Sequence, residues 1–328
     1  MKLGNYDLNR PVFMAPMAGV TDKAFRETIR LTGGRYSFTE MISDKALLYK
    51  NSKTIRMLDL SGEDEPRIVQ IFGSESEDMA RAARIAVEYG ANVIDINMGC
   101  PTPKIVKNCE GAALLRDLSR ATKIAASVVK TVNVPVTAKI RLGWDYSSIV
   151  ALELASRLEA VGIRMITVHA RTKEQYYSGK ADWSWIRKIK SNIGVPIIGN
   201  GDILSPYDAQ RMLAETGCDG VMIARGALGN PWLIGRTQYF LETGEVLPEP
   251  DNRQKCEIVM KHLERVISYK GAKVGIKEIR KHAAWYTKGI RGAAEYRNEI
   301  MSAQNPKEME SIFFKAFLEE SEGRFTEN

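Results

Sequence analysis

The sequence predicts an α/β protein with a (β/α)8 barrel, or TIM barrel, followed by a small C-terminal all-α domain. Eight short β-branched runs alternate with amphipathic stretches of helical period. Polar residues and glycines gather where those runs end, which is where TIM barrels hold their active sites. An acidic, proline-containing stretch from about residue 242 to 251 then leads into a purely helical pattern.

The length of 328 residues fits a barrel domain over residues 1–242 and a helical domain over residues 243–328. Hydrophobic residues make up 44% of the chain, but no apolar run approaches the ~20 residues that span a bilayer. The N-terminus lacks the layout of a secretory signal, so we expect a cytoplasmic protein without membrane contact. A net charge of +7 favours a polyanionic partner, although many ordinary enzymes are as basic.

The eight predicted strands are residues 12–15, 36–39, 67–72, 93–97, 136–140, 165–169, 196–199 and 220–224. A plausible helix follows each of them. An open, doubly wound sheet is the alternative, but it usually carries fewer units and reverses its strand order midway. Eight units therefore favour the closed barrel.

Three strands share a weak repeat in which a proline precedes a polar residue by four positions. The pairs are Pro66 and Gln70, Pro135 and Lys139, and Pro196 and Asn200. An offset of four preserves the side of the strand on which a side chain lies. We therefore expect Gln70, Lys139 and Asn200 to face the barrel interior near the carboxyl ends of their strands. Solvent-facing strand ends are the alternative for any one of them.

The loop after the fourth strand places a thiol at the rim, because Cys100 follows Asn97 by three residues and precedes Pro101. This setting favours an acid–base or nucleophilic role over packing. Cys109, Cys218 and Cys256 have no such setting, and we interpret them as structural. The four cysteines show no CxxC spacing and the three histidines no metal-ligand spacing, so no metal site is predicted.

Glycine-rich loops after the seventh and eighth strands predict a phosphate site, with the residues Asn200, Gly201, Asp202, Ala224 and Arg225. Glycine lets backbone N–H groups approach phosphate oxygens, and Arg225 adds a positive charge. No GxGxxG element opens a Rossmann helix, so FMN, with its single phosphate, suits the site better than a tightly held nicotinamide nucleotide. Lys139 could stabilise the anion of a reduced flavin, and His169 could bond the phosphate, the ring or the substrate; a rim salt bridge and a structural histidine are the alternatives.

The helical region contains a candidate nucleic-acid surface. Residues 253–269 form a one-sided amphipathic helix, and a second helix is predicted over about residues 275–288, with Gly289 ending it. Four cations lie near one stripe of the second helix, namely Lys277, Arg280, Lys281 and Lys288. Such a stripe could follow phosphates, and an ordinary solvated face is the alternative.

Six ordered motifs resemble one family, the tRNA dihydrouridine synthases, and in particular their bacterial B subgroup. They are MAPMAGVTD (14–22), NMGCP (97–101), KIR (139–141), HAR (169–171), GNGD (199–202) and MIARG (222–226). The match runs from about Pro11 to Trp232. The segment KHAAWY (281–286) and the pair Lys288 and Gly289 are similar to that family's helical domain.

The resemblance implies an FMN-dependent oxidoreductase that NADPH or NADH reduces and that modifies tRNA, with no protein partner implied. Hydride would pass from flavin N5 to C6 of a flipped D-loop uridine, while Cys100 donates a proton to C5. The implied flavin contacts are Pro16, Met17, Ala18, Gln70, Lys139, His169, Asn200, Gly201, Asp202, Ala224 and Arg225. Asn97 and Arg141 would bind the uracil, and Lys281 and Lys288 the tRNA.

Two other functions remain open. One is an oxidoreductase of free pyrimidines, similar to dihydroorotate or dihydropyrimidine dehydrogenase, which also pairs an FMN barrel with a rim cysteine. The other is a non-catalytic RNA-binding protein with a degenerate barrel. The basic helical region argues against the first, because phosphate contacts far from the chemistry suit a tRNA enzyme. The presence of Cys100, Lys139 and the phosphate loops argues against the second.

Overall fold

The structure is a computed structural model that describes residues 1–319. Its strands are β1 (Lys2–Leu3), β2 (Tyr6–Asp7), β3 (Val12–Met14), β4 (Tyr36–Ser37), β5 (Ile42–Ser43), β6 (Ile68–Phe72), β7 (Val93–Met98), β8 (Val136–Arg141), β9 (Ile166–His169), β10 (Ile197–Asn200) and β11 (Gly220–Ile223). Each of the eight predicted strands corresponds to one of these, with ends that differ by up to two residues. The short strands β1, β2 and β5 are additions that the sequence analysis did not predict.

The barrel helices are α1 (Lys23–Leu31), α2 (Asp44–Leu48), α3 (Ser52–Met57), α4 (Ser76–Glu88), α5 (Pro103–Val106), α6 (Leu118–Thr131), α7 (Ala151–Ala160), α8 (Trp183–Lys190), α9 (Pro206–Thr216) and α10 (Trp232–Thr243). Two 3-10 helices span Gly111–Arg116 and Arg225–Ala227. The later helices are α11 (Asn252–Lys270), α12 (Ala272–Tyr286), α13 (Ala293–Ser302) and α14 (Pro306–Phe314), continued by a π-helical turn at Lys315–Glu319. Within residues 1–319, none of these helices is long and apolar enough to cross a membrane.

The parallel strands form a closed ring, which confirms the predicted TIM barrel. Their order is β4, β3, β11, β10, β9, β8, β7, β6 and β5, and all neighbours are parallel. The ring closes between β4 and β6, because Phe38 forms a parallel bridge with Ile68 and the Thr39 amide donates to the Ile68 carbonyl at 3.1 Å. The carboxyl ends of all these strands therefore surround one opening, called the mouth below.

Apolar side chains fill the opposite end of the barrel. Phe13, Ile68, Met165 and Ile198 are buried there, and the hairpin β1–β2 adds Leu3 to the same cluster. The hairpin thus covers the amino-terminal end of the barrel. Among the described residues, the apolar filling stops below the mouth, which leaves the mouth as the open end of the polar interior.

Helices α11 to α14 enclose a second hydrophobic cluster that includes Val259, Ile279, Ile300 and Phe313. Residues 244–251 connect it to α10 without regular structure, next to the predicted division at residues 242 and 243. The division into two domains stays a prediction, and its last residues, 320–328, lie outside the described part of the chain.

The second predicted tail helix has different ends in the structure. It begins at Ala272, after Gly271 with φ +73°, and it ends at Tyr286 rather than Lys288. The Thr287 amide still donates to the Ala283 carbonyl, and the chain turns away at Gly289, where φ is +85°. Gly289 lies two residues beyond the C-cap residue Thr287, so the prediction based on this glycine placed the end of the helix too late.

Candidate functional site

Polar side chains line the upper half of the barrel interior. Parallel pairing places Asn97 beside Lys139 in one row and places Arg141, His169 and Asn200 side by side in a row closer to the mouth. Alternate residues of a strand face the same side, so β8 directs Lys139 and Arg141 to the interior together. The polar side chains that the sequence predicted to face inward therefore come from different strands and lie together at the mouth end of the barrel interior.

A chain of buried hydrogen bonds supports the loop that carries Cys100. Thr137 donates to Asp95 at 2.6 Å, and the Gln70 amide donates to the other Asp95 oxygen at 2.7 Å. Asn97 donates to the Gln70 oxygen at 2.8 Å, and its own oxygen accepts the Cys100 amide at 2.9 Å. Both ends of the Gln70 and Asn97 amides are thus engaged within the protein, which orients the turn.

Burial affects the charge of this network. Desolvation raises the pKa of the Asp95 carboxyl to about 6, although the hydrogen bonds from Gln70 and Thr137 oppose that shift. Desolvation, together with the neighbouring Arg141, lowers the pKa of the Lys139 ammonium to about 8. Lys139 remains half-buried and lies at the same level as Asn97. An anion that enters the mouth would favour the protonated form of Lys139 and so raise its pKa again.

Cys100 is half-buried at the mouth, and its Sγ lies 3.3 Å from the Thr102 hydroxyl. The following segment packs tightly against it, because the Ala112 amide donates to the Cys100 carbonyl at 3.0 Å. Gly111, with φ +59°, would place a Cβ only 2.8 Å from that carbonyl. Arg141 holds the preceding Gly99 carbonyl through Nε at 2.9 Å. The thiol is therefore fixed from both sides of its turn.

Arg141 is almost fully buried, and its guanidinium also donates to the carbonyls of Thr172 and Tyr176 at 2.8 and 2.7 Å. Burial lowers its pKa to about 10. The Tyr177 ring lies over the same guanidinium at 5.4 Å. Arg141 thus connects the Cys100 turn to the loop after β9.

A small cavity opens to solvent at the carboxyl ends of β9, β10 and β11. Its lining includes all five predicted phosphate residues, Asn200, Gly201, Asp202, Ala224 and Arg225, together with His169, Tyr177, Ile203, Leu204, Met222 and Gly226. Gly201 has φ +125°, and a Cβ there would lie 2.7 Å from Ala181. The backbone at this point therefore packs against Ala181 at a distance that only glycine allows.

The charges around this cavity are arranged around Asp202. Its carboxylate accepts two bonds from the buried Arg171 at 2.7 and 2.8 Å and one from Arg225 at 3.1 Å. Arg171 Nη1 also lies 3.5 Å from Nε2 of His169. A guanidinium can only donate, so this contact is a hydrogen bond only for the neutral tautomer whose Nε2 accepts. Burial and the surrounding cations hold the pKa of His169 well below its usual value.

The loop of Pro16, Met17 and Ala18 forms the lip of the mouth next to the helical region. The Met17 amide donates to the Thr21 hydroxyl at 3.0 Å, which closes the turn. The Lys281 ammonium reaches this lip from α12, only 3.1 Å from a Cβ built on Gly19. Lys288 is exposed beyond the end of α12. The two predicted tRNA contacts therefore occupy different places, one at the mouth and one on the outer surface.

Two interpretations of the sequence are wrong in detail. Arg280 is not part of a solvated stripe, because it is half-buried and donates to the Ala303 carbonyl at 2.8 Å. Cys109 is exposed and has φ +60°, so it does not pack in a core as Cys218 and Cys256 do. For Arg280, a contact with a segment 23 residues away decided the environment.

Sequence reasoning missed Asp95, Thr137 and Tyr177. Asp95 lies two residues before Asn97 on an apolar strand, and this buried carboxylate was an available signal. Tyr177 had no signal, because its position over Arg141 and Arg225 depends on how the loop after β9 folds back.

The fold and the site together define a class: a TIM-barrel enzyme whose mouth combines a fixed thiol, buried cations and a glycine-lined anion cradle. Comparisons with known proteins identify the family within that class. Residues 13–322 match the dihydrouridine synthase (Dus) family. The chain belongs to this family.

The curated relatives agree over nearly their full length. A probable tRNA-dihydrouridine synthase of Rickettsia bellii is 38% identical over 307 residues, which cover 93% of this chain and 94% of the relative. The tRNA-dihydrouridine synthase B of Xanthomonas axonopodis pv. citri is 40% identical, with coverages of 93% and 92%. Among solved structures, histamine dehydrogenase from Rhizobium sp. 4-9 superposes with a TM-score of 0.56 at 14% identity, covering 80% of this chain and 50% of that one. That similarity concerns the fold.

Proposed function

We propose that this protein is an FMN-dependent tRNA-dihydrouridine synthase that reduces a D-loop uridine. One observation carries the proposal: in a chain of the dihydrouridine synthase family, a fixed thiol and an anion cradle face the same mouth. The thiol suits protonation of a substrate, and the cradle suits a phosphate-bearing cofactor. A tRNA substrate also suits a protein with a net charge of +7.

The residues of the cradle fit the single phosphate of FMN. Gly201 and the short helix that begins at Arg225 offer backbone N–H groups, and the Arg225 side chain, although paired with Asp202, is 44% exposed at the cavity. Asp202 holds Arg225 and Arg171 in place, so its side chain organises the cradle through these cations. Asn200 donates to the Met222 carbonyl at 2.7 Å and ties the two loops together.

A flavin reduced by NADPH or NADH supplies a hydride when it is bound in this mouth. The remaining requirements fall to the protein. Lys139 would hold a positive charge at the middle of the mouth, near the pyrimidine edge of the ring. Pro16, Met17 and Ala18 would line one side of the ring, and His169, as a neutral acceptor and donor, would bond its polar edge or the phosphate.

Cys100 would act as the general acid that protonates uridine C5. The Thr102 hydroxyl and the Asn97-supported turn orient Sγ, and Lys139 and Arg141 attract the thiolate that remains after proton transfer. The side-chain amides of Asn97 and Gln70 already form hydrogen bonds that support the Cys100 turn, so we assign both residues an orienting role. Their remaining N–H hydrogens and oxygen lone pairs are available to a bound ligand.

The tRNA would contact the protein at the lip and on the helical region. The Lys281 ammonium makes no ion pair within residues 1–319, whereas its neighbours Lys270 and Arg265 are paired with Asp22 and Glu27. An unpaired cation beside the mouth is available for a phosphate of the nucleotide that enters. Lys288 would contact the tRNA farther from the chemistry.

The decisive experiment incubates an unmodified tRNA transcript with purified protein, FMN and NADPH, and measures dihydrouridine by mass spectrometry. We expect a gain of two hydrogen masses in D-loop fragments. Free uracil and orotate derivatives are tested in parallel. Reduction of a free pyrimidine without any change in tRNA would contradict the proposal and favour a small-molecule oxidoreductase.

A further inference from the structure

A second group of cations lies on the far side of the mouth from the helical region. Lys173 Nζ lies 4.3 Å from the centre of the Trp144 ring, and the Arg116 guanidinium lies 4.7 Å from the same centre. Lys173 also lies 5.7 Å from the Tyr176 ring. We call Arg116, Trp144, Lys173 and Tyr176 the Trp144 patch.

The patch is built by segments that are held together by backbone hydrogen bonds. The Lys173 amide donates to the Gly143 carbonyl at 2.9 Å, and the Glu174 amide donates to the Trp144 carbonyl at 2.9 Å. These bonds join the loop after β8 to the loop after β9. Arg141 holds the same region through the Tyr176 carbonyl. Lys173 and Trp144 therefore stand on a fixed support that is continuous with the candidate active site.

Neither cation of the patch has a carboxylate partner within residues 1–319. The nearby acids are engaged or directed elsewhere: Asp117 caps α6 and lies 3.6 Å from Arg120, and Asp145 accepts bonds from Ser147 and Ser148. Glu174 is exposed and makes no ion pair in that range. Two positive charges that share one ring, without a counter-ion, leave a place for an external anion.

The topology places this anion site opposite the helical region. The patch follows β8 and β9, the fifth and sixth strands of the eight-stranded barrel, whereas α1 follows the first strand, β3. Helix α1 contacts α11, through the ion pair of Glu27 with Arg265 and the ring contact of Phe25 with His262. Lys281 and the patch therefore bracket the mouth from two sides.

We propose that the Trp144 patch binds the sugar–phosphate backbone of the RNA substrate, so that the RNA lies across the mouth and contacts both sides of it. This inference rests on the proposed function, because it assigns a second contact surface to the same substrate. Two cations without a carboxylate partner in the described part of the chain suit phosphates, and the exposed Tyr176 ring suits ribose or base. A strand held on both sides of the mouth would present the nucleotide between the two contacts to Cys100.

The test compares the wild-type protein with the double variant Arg116→Ala/Lys173→Ala. Binding of the tRNA transcript is titrated at a series of KCl concentrations, and NADPH oxidation is measured without tRNA. We expect the Kd for tRNA to rise by about 3- to 10-fold and the slope of log K against log salt to become shallower by about 1 to 2. NADPH oxidation should not change, because neither residue touches the cradle.

Lys188→Ala is the matched control, since Lys188 also lies over a tryptophan, 4.5 Å from the Trp185 ring, but on the outer helix α8. It should leave the tRNA affinity and the salt slope unchanged. An unchanged affinity in the double variant would overturn the inference, and so would a raised KM for NADPH with unchanged tRNA binding, which would assign the patch to the nicotinamide nucleotide. If wild-type protein makes no dihydrouridine in tRNA, the proposed function itself fails.

Discussion

At the scale of single residues, the mouth shows how burial changes the chemistry of ordinary side chains. Burial raises the pKa of Asp95 to about 6 and lowers the pKa of Lys139 to about 8. Desolvation is the largest cause in both cases. Neither value follows from residue type, but both follow from the position of the side chains inside a closed barrel.

The role of Cys100 gives the first prediction. Cys100→Ala should still bind flavin and oxidise NADPH, but dihydrouridine formation should fall by about 10²- to 10⁴-fold, because a general acid is missing. Stopped-flow absorbance of the flavin and mass spectrometry of tRNA measure the two steps separately. Cys109→Ala, at an exposed cysteine nine residues away, is the control and should behave as wild type. Full dihydrouridine formation by Cys100→Ala would remove the proton-donor role.

At the scale of elements, two contacts between helices restrict which residue types fit. The first joins α10 to the turn after α1, and the second joins α1 to α11 and α12. Helix α10 crosses the turn after α1 at Gly235, where a Cβ would lie 2.3 Å from the Thr32 carbonyl and 2.8 Å from Gly33. Both obstacles are backbone atoms, so neither can rotate away. The close approach therefore depends on glycine.

We predict that Gly235→Ala lowers the free energy of unfolding by about 1 to 3 kcal/mol, because overpacking outweighs the gain in helix propensity. Chemical denaturation followed by circular dichroism measures the change. Gly194→Ala is the control, because its Cβ would meet only the flexible tip of Glu159 at 3.1 Å. Equal stability of the two variants would show that α10 can shift freely.

The second contact buries two histidines between α1, α11 and α12. His262 donates to or accepts from the Tyr286 hydroxyl at 3.0 Å, and both ring nitrogens of His282 lack a partner. The rings pack against Phe25 at 5.5 and 4.8 Å. Burial lowers the pKa of His262 to about 4 and holds that of His282 well below 6.5, although Asp22 opposes the shift at His262.

These shifts predict a pH-dependent stability. The unfolded chain binds these protons below pH 6.5, whereas the folded chain resists them, so the free energy of unfolding should decrease as the pH falls from about 6.5 to 4. His282→Leu, of similar volume, should make that decrease smaller. Thermal unfolding of both proteins across this pH range tests the prediction. Parallel pH curves for the variant and the wild type would contradict it.

At the scale of the whole molecule, positive charge is distributed around one opening. Carboxylates neutralise the cations that join α1 to α11, such as Arg265 and Lys270, but Lys281 at the lip has no such partner within residues 1–319. The helical region is therefore fixed by ion pairs and aromatic packing, and it presents a free ammonium to the mouth.

Reversing the charge of Lys281 and Lys288 distinguishes tRNA binding from the reduction of the flavin. The double variant Lys281→Glu/Lys288→Glu should weaken tRNA binding and make its salt dependence shallower, while NADPH oxidation stays intact. Single variants should differ: Lys281→Glu should also lower dihydrouridine formation at saturating tRNA, because Lys281 lies at the mouth, and Lys288→Glu should affect affinity alone. Unchanged tRNA affinity in the double variant would contradict the assigned contacts.

The sequence by itself determined the barrel, because alternating apolar runs and helices allow few closed arrangements and their period is local. It also determined the family and the set of polar residues at the strand ends, since strand parity and turn glycines are encoded within a few positions. Only the tertiary structure decided which of those residues are engaged with one another. The Thr137–Asp95–Gln70–Asn97 network, the burial of Arg280 and the approach of Lys281 to Gly19 join segments far apart in the chain, and no local pattern specifies such distances.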